Sequence, residues 1–276
     1  ASTMPRKAIC LLLITLLLAT ACSRLTFVRP KGKVEPMSGP QSTREYSVGD
    51  SPEVKRRQSV QTLLARAVQR LQAGEPDAAE KDARAALKLD PTSADATTVL
   101  AVVEDQRGNT SAAGQHYKRA AELAPSQGAA LNNYGTWLCK NGFAAESLVW
   151  FDRAIQAPDY ATPASAMANA GSCALKSGQA ERAARDLRQA LAQEPANAVA
   201  LEAMGELEFR QQQYMSARAF VERRLAAAPA NAAVLKLASQ IEDRLGDKAA
   251  ASRYVQRIRA EFPDALDVTT GGNAGP

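Results

Sequence analysis

Five prolines fall at regular intervals. Pro91, Pro125, Pro195, Pro229 and Pro263 are separated by 34, 70, 34 and 34 residues, and the interval of 70 divides into units of 34 and 36. Glycine keeps step at Gly74, Gly108, Gly142, Gly178 and Gly246, with Gln212 in the fifth place. Small residues follow at Ala79, Ala113, Ser147, Ala183, Ala217 and Ala251. A second near-constant place reads Ala86, Ala120, Ala154, Ala190, Arg224 and Ile258. Glycine permits a turn between two helices, small side chains let those helices approach, and proline stops the second from continuing. Only 5% of residues are aromatic, so the packing must rely on alanine, the best helix former. The spacing predicts six helical hairpins at 60–93, 94–127, 128–163, 164–197, 198–231 and 232–265. The third carries two extra residues near Pro158, Asp159 and Tyr160. One hairpin cannot bury its own apolar face, so the hairpins must stack.

This pattern resembles the tetratricopeptide repeat (TPR) family, whose 34-residue unit is helix, turn, helix. The resemblance implies an all-α TPR superhelix (α-solenoid) over residues 51–265. Ser51-Pro52-Glu53 opens it with a hydroxyl cap, a proline in the first turn and an acid near the positive end of the helix dipole.

Residues 1–21 read as a lipoprotein signal peptide. Arg6 and Lys7 precede an apolar run of 14 residues, Ala8 to Ala21, which is too short to cross ~30 Å of hydrocarbon comfortably. Leu18-Ala19-Thr20-Ala21-Cys22 resembles a bacterial lipobox, although leucine is commoner where Ala19 stands. That resemblance implies acylation of Cys22, on its sulfur and its new amine, and a lipid anchor in the membrane. Ser23 is not the aspartate that retains such proteins at the inner membrane, so the implied location is the periplasmic face of the outer membrane. Residues 22–50 contain Pro30, Gly32, Pro36, Gly39, Pro40 and Gly49 and are expected to be a flexible tether. Arg24, Arg29, Lys31 and Lys33 there would suit either anionic head groups or plain solvation. Residues 266–276 are expected to form a disordered tail.

The chemistry-bearing residues point away from catalysis. A net charge of +5 is too modest to mark a nucleic-acid binder. The single histidine, His116, has no partner motif around it and reads as an ordinary helix residue. There is no Gly-rich phosphate loop, nucleophile elbow or H-E-x-x-H motif. No catalytic residue, cofactor, metal or small-molecule substrate is expected. Of four cysteines, Cys10 lies in the segment to be removed and Cys22 takes lipid. Cys139 and Cys173 remain and are expected to form a disulfide, which a periplasmic setting permits, with two buried thiols as the alternative. They stand at places 12 and 10 of successive first helices, counting each repeat from its first residue. Two residues correspond to ~200° of rotation and about 3 Å of rise, so the pair can face one another. Trp137 and Trp150 sit at packing places and read as core.

Residues 132–178 are more specific. Asn132-Asn-Tyr-Gly-Thr-Trp-Leu-Cys139-Lys-Asn-Gly142, Phe151-Asp-Arg-Ala154, Pro158-Asp-Tyr160, Thr162-Pro163 and Asn169-Ala-Gly-Ser-Cys173-Ala-Leu-Lys-Ser-Gly178 resemble the PilF/PilW family of TPR lipoproteins in type IV pilus biogenesis. The resemblance implies a pilotin, which binds the pilus secretin and promotes its outer-membrane localisation and multimerisation, supporting twitching motility. A TPR lipoprotein adaptor for periplasmic peptidoglycan enzymes is the alternative that a generic repeat pattern would fit. In TPR proteins places 5, 9 and 12 of the first helix line a concave groove. Only the first repeat is apolar at all three, with Leu64, Val68 and Leu71, and Val102 follows in the second. These four residues are the candidate partner-binding surface.

Overall fold

The structure, a computed structural model, describes residues 51–158 and 160–267. The signal segment, Cys22 and the tether lie outside the described residues, as does the tail beyond residue 267. Six helix pairs follow one another: α1 (Pro52–Gln72) with α2 (Pro76–Leu89), α3 (Ala94–Gln106) with α4 (Thr110–Leu123), α5 (Gly128–Lys140) with α6 (Ala144–Ile155), α7 (Pro163–Lys176) with α8 (Ala180–Gln193), α9 (Ala198–Arg210) with α10 (Tyr214–Ala227), and α11 (Ala232–Leu245) with α12 (Lys248–Glu261). A single turn, α13 (Asp264–Asp267), comes last, so helix continues two residues past the boundary that the repeat length predicts. No strand occurs among the described residues. Each second helix packs on its own first helix and on the first helix of the next repeat, and successive first helices also touch. The result is an all-α solenoid of six repeats.

Local chemistry sets the helix ends. Ser51, Ser93, Asn197, Asn231 and Asp247 accept a backbone N–H of the first turn through their side chains, which satisfies one otherwise orphaned donor at each start. The five periodic prolines each stand two residues beyond the end of a second helix. The turn residues Gly74, Gly108, Gly142, Gly178 and Gly246 all have positive φ, between 75° and 92°, and Gln212 adopts φ 61° in the fifth repeat. The left-handed conformation is thus required by the turn, and glutamine tolerates there what glycine takes freely.

Inside each hairpin the helices meet at places 8 and 24. Place 8 holds Ala67, Ala101, Gly135, Gly171, Gly205 and Ser239. A Cβ on Gly135 would stand 2.9 Å from Phe151, on Gly171 2.5 Å from Leu187, and on Gly205 2.8 Å from Val221. Phe151, Leu187 and Val221 are place 24 of the same repeats and are fully buried. Large side chains therefore occupy the space that glycine vacates, whereas the first repeat pairs Ala67 with Ala83.

The two-residue insertion in the third repeat lengthens the connection after α6. It brings Tyr160 against the start of α5, where a Cβ on Gly128 would meet the Tyr160 ring at 2.4 Å. Tyr160 joins Tyr117, Trp137, Trp150 and Ile155 around Leu131, Tyr134 and Leu138. Trp137 lies over Gly114 of α4, and Trp150 meets Tyr134 edge-on with Arg153 4.5 Å above its ring. Trp137 Nε1 is buried without a hydrogen-bond partner. Arg224, which stands where four repeats have alanine, is buried and donates to the carbonyls of Ala228 and Pro229 and to Glu202. Its donors are satisfied at the end of α10, which is why a charge is tolerated in that place.

Both ends of the stack are polar where the interior is apolar. Places 3, 7 and 10 of a first helix seat it on the preceding repeat: Ala96, Leu100 and Val103 in α3, Ala200, Met204 and Leu207 in α9, all buried. In α1 these places are Thr62, Arg66 and Gln69, all exposed. At the other end Ser252 and Arg259 of α12 are exposed where α6 has Leu148 and Ile155. Repeat arrays need such polar outer faces to stay soluble.

Candidate peptide-binding groove

At the N-terminal end of the groove, the structure divides the four candidate residues. Leu64 and Leu71 are partly buried and pack against the core formed by Ala67, Ala79, Ala83, Val99, Leu100 and Val103. Val68 is 46% exposed, and Val102 is half-buried on α3. Val68 is thus the outward-facing member, while the two leucines divide their surface between core and groove. The polar outer face of α1 is separate from this stripe. Arg66 donates to Asp82 at 2.7 and 2.5 Å, and Arg70 reaches the same carboxylate at 2.8 Å. Asp82 is 2% exposed, and the hydrogen bonds from Arg66 hold its carboxyl below the usual carboxylate range against the opposing effect of burial.

In the middle of the groove, Cys139 of α5 and Cys173 of α7 form a disulfide, with Sγ–Sγ 2.01 Å and Cα–Cα 5.9 Å. Both are buried. The bond ties the first helices of repeats three and four directly to each other. Beside it, Asn169 of α7 donates to Asn132 Oδ1 at 3.0 Å and to Thr136 Oγ1 at 3.4 Å. The carboxamide at place 6 of one repeat therefore bridges places 5 and 9 of the repeat before it.

The C-terminal part is charged. Glu202, Glu206, Phe209, Arg210, Lys236 and Gln240 line a cleft of about 340 Å³ between repeats five and six. Glu202 is paired with Arg224 and Glu206 with Arg210. A larger cleft of about 700 Å³ lies where a seventh repeat would seat its first helix, against Ser239, Asp243, Lys248, Ser252 and Arg259. Its lining mixes these polar side chains with Phe209, Ala251 and Val255.

Other polar features have structural explanations. His116 is half-buried on α4, and among the described residues no three His, Cys, Asp or Glu side chains stand close enough to hold a metal ion. Burial pushes the Tyr117 hydroxyl up to about 12, so it is a neutral group at physiological pH. The Asn132–Asn169 bridge and the glycine of place 8 escape a reading based on prolines and turn glycines. Aligning the repeats at places 5, 6 and 8 exposes both, because the two features sit in the same columns of successive units.

Two tetratricopeptide repeat models match the sequence, over residues 64–130 and 174–241. The chain carries tetratricopeptide repeats and folds as their all-α solenoid. Comparison of the sequence with curated proteins finds no match. Among solved structures, this TPR protein is similar to PilW, described as a widely conserved type IV pilus biogenesis factor, at 27% identity and a TM-score of 0.68; the match covers 77% of this chain and 98% of PilW's. It shares its fold with PilF of Pseudomonas aeruginosa at 23% identity and a TM-score of 0.67, covering 78% of this chain and 97% of that one. A thermophilic TPR protein of Thermus thermophilus matches at 22% identity and a TM-score of 0.53, covering 67% and 98%. The likeness to PilW extends over nearly the whole of that chain, and PilF shares the fold over a similar span. TPR proteins typically serve as scaffolds that bind protein partners.

Proposed function

We propose that this TPR protein is an outer-membrane lipoprotein of the pilotin type. It binds the secretin of the type IV pilus, holds it at the membrane through acylated Cys22, and promotes its assembly into a ring. The observation that carries this reading is the match to nearly the whole of PilW, a pilus biogenesis factor, at 27% identity. The lipobox of residues 18–22 supports the anchor, and exposed Val68 beside Leu64, Leu71 and Val102 supports a docking surface near the tethered end. In this reading the solenoid supplies a rigid groove, and the lipid supplies the address. Deleting the gene and assaying outer-membrane fractions for heat-resistant secretin multimers tests it. Multimers and twitching should be lost, then restored by the wild-type chain but not by Cys22→Ser, which should leave the outer-membrane fraction. Normal multimers in the deletion strain would overturn the proposal.

A further inference from the structure

The first helix is longer than a repeat needs. α1 has 21 residues, whereas the other helices of the six pairs have 12 to 14. Its first eight residues, 52–59, precede place 1 of the first repeat and extend it by about 12 Å. Apart from half-buried Val54 they are exposed, so the core does not account for the extension. Lys55, Arg56 and Arg57 stand there in succession, all exposed, and with about 100° between neighbours they fan around more than half of the helix. Adjacent cations repel one another, and these follow directly on the turn where the helix dipole favours anions. Arg57 is paired with Glu53 at 2.9 Å in open solvent, and among the described residues Lys55 and Arg56 form no ion pair. α2 returns to the same end, where Ala86 and Leu87 pack with Val60. Lys88 follows them, exposed and likewise unpaired among the described residues. Asp90, the next carboxylate, accepts from the N–H and the hydroxyl of Thr92. Residues 22–50 join the solenoid at this end and bring five cations against three acids. Residues 22–72 together hold ten Lys and Arg against four Asp and Glu, while residues 73–276 hold 22 against 25. The positive charge is thus gathered in one stretch of the chain.

We propose that the extra turns of α1, with Lys88 beside them, rest on anionic phospholipid head groups at the surface of the membrane to which Cys22 leads. The inference rests on the lipid-anchor reading for bringing a bilayer within reach, and it adds which face of the solenoid meets that bilayer. Head-group phosphate oxygens accept charge-assisted hydrogen bonds from ammonium and guanidinium groups. A surface carrying many such groups suits cations that diverge around a helix, whereas one free phosphate meets only one or two of them. The attraction is about fivefold in partition for each cation near an anionic membrane. That is weak beside an acyl anchor, so its use is orientation. Acyl chains fix Cys22 alone, and the cationic turns fix the attitude of the solenoid. Val68 stands twelve residues beyond Arg56 on α1, so this contact holds the exposed valine within about 18 Å of the head groups. An acidic protein fits this place less well, because it would have to displace the bilayer beside which the chain is tethered.

The test uses the whole chain after its signal segment, with Cys22→Ser so that no lipid is attached and the result is independent of the anchor. Its co-sedimentation with vesicles of phosphatidylglycerol and phosphatidylethanolamine is compared with that on vesicles of phosphatidylcholine alone. The chain should sediment with the anionic vesicles at low salt, release at high salt as exposed charges are screened, and ignore the neutral ones. Lys55→Gln with Arg56→Gln keeps side chains of good helix propensity at two exposed positions, so the melting temperature should not change. This variant should lose about tenfold or more in partition onto the anionic vesicles. Changing Arg24, Arg29, Lys31 and Lys33 to glutamine should leave that loss intact when the two sets are combined. A helix variant that partitions like its parent would assign the attraction to residues 22–50 and overturn the proposal. Displacement by inorganic phosphate beyond the effect of chloride at equal ionic strength would mark a free-phosphate site, and equal binding to polyglutamate would mark an acidic-protein site; either result overturns it. All of these failures leave the lipid anchor and the pilotin reading standing, which are tested separately by acylation of Cys22 and by secretin multimers.

Discussion

Gly171 of α7 and Leu187 of α8 are in such close apposition that a Cβ on the glycine would lie 2.5 Å from Leu187 Cγ and 3.1 Å from its backbone nitrogen. The second distance matters more, because a side chain can turn aside while a helix backbone must shift as a whole. Gly171→Ala should therefore destabilise the protein by about 1–2 kcal/mol, with overpacking outweighing the better helix propensity of alanine. Urea unfolding measures it. Combining it with Leu187→Ala should cost less than the sum of the two single changes, since the second removes the clash. A fully additive double mutant would contradict the contact.

Gln212 is the non-glycine residue at positive φ among the described residues. Its side chain is exposed, so little is lost by removing it. Gln212→Gly should stabilise by about 0.5–1 kcal/mol, the relief of left-handed strain exceeding the added flexibility of the unfolded chain. A higher melting temperature is the expected readout, and a lower one would show that the glutamine side chain makes a contact of value.

The Cys139–Cys173 bond closes a loop with a sequence separation of 34. In the chain-entropy model, reducing it or changing both cysteines to alanine should cost roughly 3–4 kcal/mol. Peptide mapping under non-reducing conditions, followed by thermal melts with and without reductant, checks the bond and its contribution. Identical melts would show that it does not constrain the unfolded chain.

The first hairpin should be the acid-sensitive one. Asp82 is held below the usual carboxylate range by Arg66, Glu80 by Arg84 and Arg107, and Asp90 by Thr92. A carboxyl with a depressed folded pKa stabilises the fold above its unfolded value of about 4, and that stabilisation disappears as pH falls through the folded value. Stability should thus decline below about pH 4, and Asp82→Asn should lower it at neutral pH by about 1–3 kcal/mol while flattening the acid limb. Hydrogen exchange resolved along the chain would place the loss in α1 and α2.

Val68 is the cleaner probe of the docking surface. Because Leu64 reaches the core, Leu64→Asp confounds binding with folding, whereas Val68→Asp should leave the protein within about 1 kcal/mol of wild-type stability. Under the pilotin reading Val68→Asp impairs secretin multimerisation. Normal multimerisation by the folded variant would move the docking site elsewhere.

The number of hairpins and the turn conformation were legible in the sequence, because proline, glycine and small residues act locally and recur with the unit. The same periodicity placed Cys139 and Cys173 on facing helices. Position in the groove was less legible. Places 5, 9 and 12 mark a face of one helix, but whether Leu64 or Val68 is left exposed depends on how α2 and α3 lean against α1, and only their packing decided that. Arg224 broke the small-residue column without betraying, in sequence, the carbonyls that accept its bonds. The two extra residues near Tyr160 were countable, yet their use, a ring laid against Gly128, appeared only in three dimensions. Local conformational preference is written residue by residue. Which faces remain open is a property of neighbours distant in the chain, and it was settled when the repeats stacked.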